Sequence, residues 1–335
     1  VNGKRSAVNE FRPTPDSGHP KPDIMAKHIL ITGGLGNLGS WLTEHFVDQG
    51  YKVTILAKRK RPILQELGFG FISCDISDPE NCKQQLAGKT FDYVIHAASS
   101  NEYFIDNYPY HALMVNAYGT RNLLDALKDS GLKHFLYLST FQVYGAYSGK
   151  ITEETPTLSR NDYGVTHLFA ESYVKQFHAT SGIPYLIMRL TNSYGCPKDP
   201  DSSKWYLILN DLSRMAVQEK KIVLRSNGKA PRDFIWMGTV CEIFQQLLER
   251  DEAYNDTFNI AGEKTHNMLQ VAQAVQQAYE EVYGEKLEIQ TNKEDKSTFD
   301  IPLEVSAAKL RKFVDYEVKD RFVEEAKKIF ELVNG

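Results

Sequence analysis

The residues with the clearest chemistry are glycines. Gly33, Gly36 and Gly39 recur at three-residue spacing, with Asn37 and Leu38 between the last two. They follow an aliphatic run at 28–32 and open an amphipathic stretch carrying Trp41, Leu42, His45 and Phe46. A strand, a tight turn and a helix in that order bring free N–H groups and the positive end of a helix dipole to a pyrophosphate. Glycine lets the backbone approach it closely. The position between the first strand and the first helix, more than the glycines themselves, makes this a dinucleotide signal. A tight turn that binds nothing is the plain alternative.

The run at 52–56 leads through Ala57 to Lys58, Arg59, Lys60 and Arg61. An acidic residue here would accept the adenosine 2′-hydroxyl of NAD. Cations stand there instead, which favours a 2′-phosphate and so NADP(H), with NAD(H) as the alternative. A solvated basic loop is the plain reading. Asp75 and Ile76, after the run at 69–73, are placed to meet the adenine edge, although an aspartate there also suits an ordinary turn. His96 ends the run at 93–96. Ala97, Ala98 and Ser99 follow it and are small enough to leave room for phosphates and ribose.

Ser139, Thr140, Phe141, Gln142, Val143, Tyr144 and Gly145 follow the fifth strand-like run, and Tyr163 and His167 stand four apart further on. Asn116, the stretch at 189–195 with Arg189 and Asn192, and Pro231, Arg232 and Asp233 complete an ordered set. With these marks the chain from Met25 onward resembles the extended short-chain dehydrogenase/reductases, the nucleotide-sugar epimerase/dehydratase family. The resemblance implies that Tyr163 is the general acid/base on a sugar hydroxyl. Thr140 would bond the same oxygen, with Ser139 beside it, while hydride passes between sugar C4 and nicotinamide. It implies that Asn116 belongs to the cofactor site, that Ser99 meets substrate, and that Asn192 and Arg232 hold the diphosphate. A guanidinium suits that task because it can bind phosphate with two parallel bonds. The plain alternative for Arg232 is an ion pair with Asp233. A homodimer through the fourth and fifth helices is also implied, and Leu168, Phe169 and Tyr173 suit either that contact or the core.

His167 departs from the family pattern, which is YxxxK. The lysine there bonds the nicotinamide ribose and lowers the tyrosine pKa. A free phenol has a pKa of about 10 and an unperturbed imidazole about 6.5, so the permanent cation is lost. Residues four apart share a helical face, so the two rings can touch and titrate together. Three readings stand open: His167 replaces the lysine as ribose donor and part-time cation, the site is weakened to a binding role, or the histidine is an introduced substitution. Dehydratases of this family carry an Asp-Glu pair after the catalytic threonine. Phe141 and Gln142 stand there, and an amide cannot protonate a leaving hydroxyl. Tyr144, Tyr194, Asn101, Glu102, Tyr103, Trp205 and Tyr206 are weaker candidates for the substrate pocket.

The elements that must position these groups read as α/β. Most of the runs named above, with 135–138, 185–188 and 257–260, are apolar on both faces, as in a parallel sheet covered by helices. Leu113, Asn116, Ala117, Thr120, Leu123, Leu124 and Leu127 form a helical stripe. Repeated βα units imply a Rossmann-type doubly wound sheet. Beyond Arg189 the pattern loosens into a smaller lobe with helices near 207–220, 267–282 and 320–333. The expected division is a dinucleotide-binding domain at 25–190, with return segments near 232–262, and a substrate domain from 191–231 and 263–335. Residues 1–24, rich in proline, read as a disordered leader or an artificial remnant, with Met25 as the natural start.

Composition excludes several classes. The 335 residues are 42% hydrophobic, enough for a large core. Lys and Arg number 39 against 43 Asp and Glu, a formal charge of −4 that argues against nucleic-acid binding. No apolar run reaches the roughly 18 residues of a membrane span. The 4 cysteines show no CxxC spacing, and His111, His134 and His178 are scattered. Thiols in a reducing cytoplasm are expected, and no metal.

Overall fold

The strands alternate with helices because short β-branched runs are separated by amphipathic segments with their own start and stop signals. The computed structural model describes residues 27–101 and 105–335. The reading of the leader and of Met25, and the candidates Glu102 and Tyr103, lie outside the described residues. β1 (His28–Thr32) leads through the glycine turn into α1 (Asn37–Asp48), followed by β2 (Lys52–Ala57), β3 (Gly70–Ser73), α2 (Pro79–Leu86) and β4 (Tyr93–His96). α3 (Tyr108–Ala112) runs through a π-helical turn (Leu113–Tyr118) into α4 (Gly119–Leu127), and β5 (His134–Thr140) ends in a 3-10 turn (Phe141–Tyr144). β6 (Gly149–Ile151), α5 (Asp162–Ser181), β7 (Tyr185–Leu190), β8 (Asn192–Tyr194), α6 (Ile208–Glu219) and β9 (Ile222–Val223) come next. The chain closes with β10 (Pro231–Trp236), α7 (Met237–Leu247), β11 (Asp256–Ile260), β12 (Thr265–Asn267), α8 (Met268–Tyr283), β13 (Ile289–Gln290), β14 (Leu303–Val305) and α9 (Phe322–Asn334).

The main sheet has seven strands in the order β11-β7-β5-β4-β1-β2-β3. Every pairing in it is parallel. This is the Rossmann-like α/β arrangement expected from the repeated units. Strand order reverses between β1 and β4, so a crevice opens beyond their carboxyl ends. One core, with Leu42, Phe46, Val240 and Phe244 from α1 and α7, covers one face. A second, with Leu123, Leu127, Val174 and Phe177 from α4 and α5, covers the other. A third core lies among α6, α8 and α9.

Two local expectations are refined. The stripe at 113–127 is not one regular helix: its first part is the π-helical turn. Pro231–Trp236 does not join the main sheet but pairs with β8 and β12, while β11 returns beside β7. The three short sheets escaped the sequence reading because all their strands but β10 have only two or three residues and carry no period.

The glycine turn depends on missing side chains. Gly33 adopts φ +67°, and a Cβ there would meet Ala98 Cα at 2.8 Å. A Cβ on Gly39 would sit 2.0 Å from the Gly33 carbonyl oxygen. Both contacts are with backbone, which cannot swing aside. Gly39→Ala is therefore expected to lower unfolding free energy by about 1–3 kcal/mol, the usual range for forced overpacking. Urea titration of wild type and variant checks it; an unchanged midpoint would mean that the turn relaxes freely.

Candidate functional site

A cavity of about 390 Å³ lies at the carboxyl ends of β1, β4 and β5, closed on its far side by β8, β10 and the start of α6. It brings together Gly33, Gly36, Asn37, Leu38, Gly39, Ala97, Ser99, Ser139, Thr140, Tyr163, Asn192 and Arg232. Lys58, Arg59, Asp75, Ile76, Ala98, Asn116 and His167 do not line it.

At one end sits the first turn of α1. Its first helical bond is Ser40 N to Gly36 O, 2.9 Å, so the N–H groups of Asn37, Leu38 and Gly39 precede the helical ladder. No side chain caps this end, and Asn37 Oδ1 is buried without a partner. Uncapped donors, an orphaned polar atom and a cradle that a Cβ would fill suit a pyrophosphate.

The loop after β2 is less cationic than its sequence. Lys58 Nζ lies 2.6 Å from Asp75 Oδ2, and Arg61 pairs with Asp199 and donates to Asp201 O at 2.8 Å. Burial pulls the Asp75 carboxyl up, but Lys58 and Ser77 outweigh it and hold the group below its usual range. Asp75 Oδ1 accepts from Ser77 N and Oγ. The Ile76 carbonyl accepts from Asn122 Nδ2 at 2.9 Å.

The other end is built by α5. Asn161 caps it, its Oδ1 accepting from Gly164 N at 2.8 Å and its Nδ2 donating to Gln142 Oε1 at 2.7 Å. Gly164 is needed because a Cβ would fall 2.6 Å from the Gln142 carbonyl oxygen. Helix start and β5 end are thus pressed together, and Tyr163 shares the cavity with Ser99 and Thr140. Burial raises the Tyr163 phenol pKa, opposed by the Ser99 and Thr140 hydroxyls.

Neighbouring residues hold this geometry. Ser139 donates to Glu171 Oε1 at 2.6 Å, so its hydroxyl is committed to the scaffold. Glu171 also accepts from Arg189 Nη2 at 2.7 Å and Nε at 3.0 Å, and Arg189 donates to Tyr144. Tyr144, a weaker candidate at most, belongs to this buried network. Asn116 likewise serves position: Oδ1 accepts from Ser100 N at 2.6 Å, and Nδ2 donates to Ser100 O and Thr166 Oγ1. The π-helical turn aims it there, beside the loop that carries Ser99.

His167 bears on the three open readings. It is 1% exposed, and burial, helped by His96, pushes its pKa down to about 3. That direction favours the neutral ring at ordinary pH and counts against a part-time cation. Its Nδ1 lies 2.6 Å from the Tyr137 hydroxyl, its ring packs edge-on against Tyr163 with centroids 4.5 Å apart, and Nε2 has no partner.

On the far side of the cavity, Arg232 joins the lining with its guanidinium over the Tyr147 ring and Nη1 bonded to Pro231 O. Burial lowers its pKa from the usual arginine value. Among the described residues no carboxylate pairs with it. Asp233 is turned away, its Oδ1 accepting from Thr191 Oγ1 at 2.7 Å and Gly262 N at 2.8 Å. The Arg232–Asp233 ion pair is therefore excluded. Asn192 Nδ2 donates to Asp233 O at 2.9 Å. Tyr194, Tyr206, Asn101 and Gln142 line the cavity, and Trp205 does not. Sequence reasoning missed Lys204, which bonds Asn101, and Asn210, Met237 and Met268. They come from loops and helix ends with no motif spacing.

The comparisons agree with this geometry. A family model described as the NAD dependent epimerase/dehydratase family matches residues 29–261. A dTDP-D-glucose 4,6-dehydratase of Mus musculus is 25% identical over 278 residues, 79% of this chain and 76% of that protein. An uncharacterized UDP-glucose epimerase of Bacillus subtilis is 26% identical over 275 residues, 77% and 83% of the two chains. The structure of an epimerase from Methanothermobacter thermautotrophicus matches with TM-score 0.76 and 25% identity over 94% of this chain and 96% of that one. UDP-glucuronic acid 4-epimerase from Bacillus cereus in complex with NAD shares the fold, with TM-score 0.74 and 22% identity over 92% and 98%.

Asp233 supplies a test of the buried electrostatics. Burial first, against bonds from Thr191 and Gly262, raises its carboxyl from 3.8 to about 7. The folded chain then holds a proton that the unfolded chain releases between those values, so this group's contribution to stability is lost as pH rises through that window. Asp233→Asn, which cannot ionise, is expected to gain in Tm over wild type between about pH 5 and pH 8. An equal Tm difference at both pH values would show Asp233 ionised throughout.

Proposed function

The chain belongs to the NAD dependent epimerase/dehydratase family, and on that premise we propose that it is an NAD(P)-dependent nucleotide-sugar oxidoreductase or epimerase acting at sugar C4. One observation carries the reading. The Tyr163 phenol shares a cleft with Ser99, Thr140 and the uncapped start of α1. In this reading Tyr163 takes the C4 hydroxyl proton or returns it, and Thr140 holds the same oxygen. Arg232 and Asn192 face the diphosphate, and Asn37, Leu38 and Gly39 receive the dinucleotide pyrophosphate. The cofactor, when bound, supplies the hydride acceptor and donor.

Residues 25–190, with the return segments near 232–262, would bind the dinucleotide. Residues 191–231 and 263–335 would bind the nucleoside-diphosphate sugar. NADP(H) remains favoured, NAD(H) the alternative: Arg59 and Lys60 have no carboxylate partner among the described residues, while Lys58 and Arg61 do. No helix among those residues is long and apolar enough to cross a membrane; the free thiols fit a cytoplasmic setting.

Dehydration is the weaker chemistry. Gln142 in the cleft is an amide held by Asn161, and Phe141 lies in the core. A specific observation does favour one second reading, a binding protein with little turnover: the neutral, buried His167 leaves Tyr163 without the permanent cation that would make it a ready base.

The test is incubation of the protein with NAD+ or NADPH and a panel of UDP- and dTDP-sugars, read by nicotinamide absorbance and product mass. A mass-neutral change of sugar indicates epimerisation, and a gain of two hydrogens indicates reduction. Tyr163→Phe is expected to cut turnover by about 10²–10⁴-fold, the usual contribution of a general acid/base; unchanged turnover would refute its role. Cofactor and sugar binding without conversion across the panel would select the binding protein.

We also propose a homodimer through the α4–α5 face, where Phe169 is 52% exposed, with Tyr118 and Val165 nearby in exposure at 40% and 38%. Leu168 and Tyr173 are partly buried against the cores instead. Phe169→Glu is expected to shift sedimentation from dimer to monomer. A wild-type protein that sediments as a monomer would rule the contact out.

A further inference from the structure

The segment at 195–207, between β8 and α6, belongs to both halves of the molecule. Gly195, Lys204, Tyr206 and Leu207 line the cavity, and the residues between Gly195 and Lys204 do not. That middle part is fastened to the dinucleotide half instead. Trp41 Nε1 donates to Cys196 O at 3.0 Å, and Lys198 Nζ lies 2.6 Å from Glu44 Oε2. Both partners stand on α1. Arg61 adds a third tie, from the loop after β2. Its guanidinium forms an ion pair with the Asp199 carboxylate, and Nη2 donates to Asp201 O at 2.8 Å.

The tie through Arg61 differs in kind from the other two. α1 is packed into the core, whereas the loop after β2 leaves the carboxyl end of that strand, where the adenosine ribose of a dinucleotide is expected. Asp199 is 6% exposed. Its Oδ1 accepts from Asp201 N at 2.8 Å and so shapes its own turn. Its Oδ2 is buried, with no hydrogen bond beyond the ion pair. Moving Arg61 away alone would strand a buried carboxylate without its cation, which is strongly unfavourable. Loop and segment are therefore held as one body, and a ligand that settles one settles the other.

We propose that Arg61 and Asp199 are a positioning pair that couples the two sides of the cleft: a dinucleotide that settles the loop after β2 also settles the wall that receives the nucleotide sugar, and each ligand tightens the other. This rests on the placement of dinucleotide and sugar given under Proposed function.

Isothermal titration measures the affinity of UDP-glucose for the protein alone and for the protein saturated with NADP+, with NAD+ in a parallel series. The coupling is read in the series whose dinucleotide binds. That dinucleotide is expected to tighten UDP-glucose about ten-fold, within the usual range of coupling between sites, and UDP-glucose to tighten the dinucleotide by the same factor. Asp199→Asn keeps an acceptor for Asp201 N but loses the charge, and Arg61→Gln loses the charge opposite. Each is expected to remove most of that factor, and the double variant no more than either alone. Arg61→Lys, which keeps a cation facing Asp199, is expected to restore much of it, a recovery that a merely structural arginine would not show. A wild type that binds both ligands without mutual tightening overturns the proposal and leaves the proposed function standing. Variants that keep the full factor also overturn it, because α1 would then carry the coupling, as does an Arg61→Lys protein no better coupled than Arg61→Gln. A wild type that fails to bind a dinucleotide or UDP-glucose defeats the proposed function as well. Should Asp199→Asn not fold, Arg61→Gln, at a partly exposed side chain, still decides.

Discussion

Backbone packed directly on backbone at the first turn is the contact on which the cleft depends. With no Cβ at Gly39, α1 can start against the Gly33 carbonyl, and with none at Gly33, that turn can lie on Ala98 at the end of β4. The start of a helix is thereby pinned at the reversal of strand order, where the sheet leaves a crevice. Ser99, Thr140, Tyr163, Asn192 and Arg232 line that same crevice. A single methyl at either position would push the helix away, and the uncapped N–H groups would face nothing in particular.

Across the crevice the organising force is different. Here polar groups are buried, and they are tolerated because they satisfy one another. Glu171 and Arg189 form a nearly sealed ion pair that also bonds Ser139 and Tyr144, and Asn259 accepts from Tyr144 at 2.6 Å. Such a network need not add much stability over an apolar core, but it admits only one register between α5 and β7. Asn116 does the same between α4's π-helical approach, the Ser99 loop and α5. Tyr163 is therefore held by contacts on three sides. What is missing is charge. Where the resemblance implies a lysine, this chain carries an imidazole that burial holds toward its neutral form, packed in an aromatic layer with His96, Tyr137 and Tyr163.

Much of this was legible in residue order. The glycine spacing, Thr140, Tyr163 and Arg232 were identifiable as a set, and the structure gathers them around one cavity. The parallel sheet followed from runs apolar on both faces. Illegible features share a cause: each depends on a partner distant in sequence. The four cations after β2 look alike in a string of letters, yet Asp75 takes Lys58 and Asp199 takes Arg61. Asn116 sits on a helical stripe whose π-helical irregularity no period reveals. Lys204 and Asn210 enter from the loop and helix that close the cavity.

By itself the amino-acid order determined the element types, the parallel layering and the dinucleotide turn, because those rest on local spacing, chirality and the absence of side chains. The tertiary structure alone decided which charges survive, which polar atoms are left open and whether His167 can hold a proton. Those properties are set by desolvation and by neighbours from remote segments, and burial draws down the pKa of a histidine that would titrate near neutrality in water.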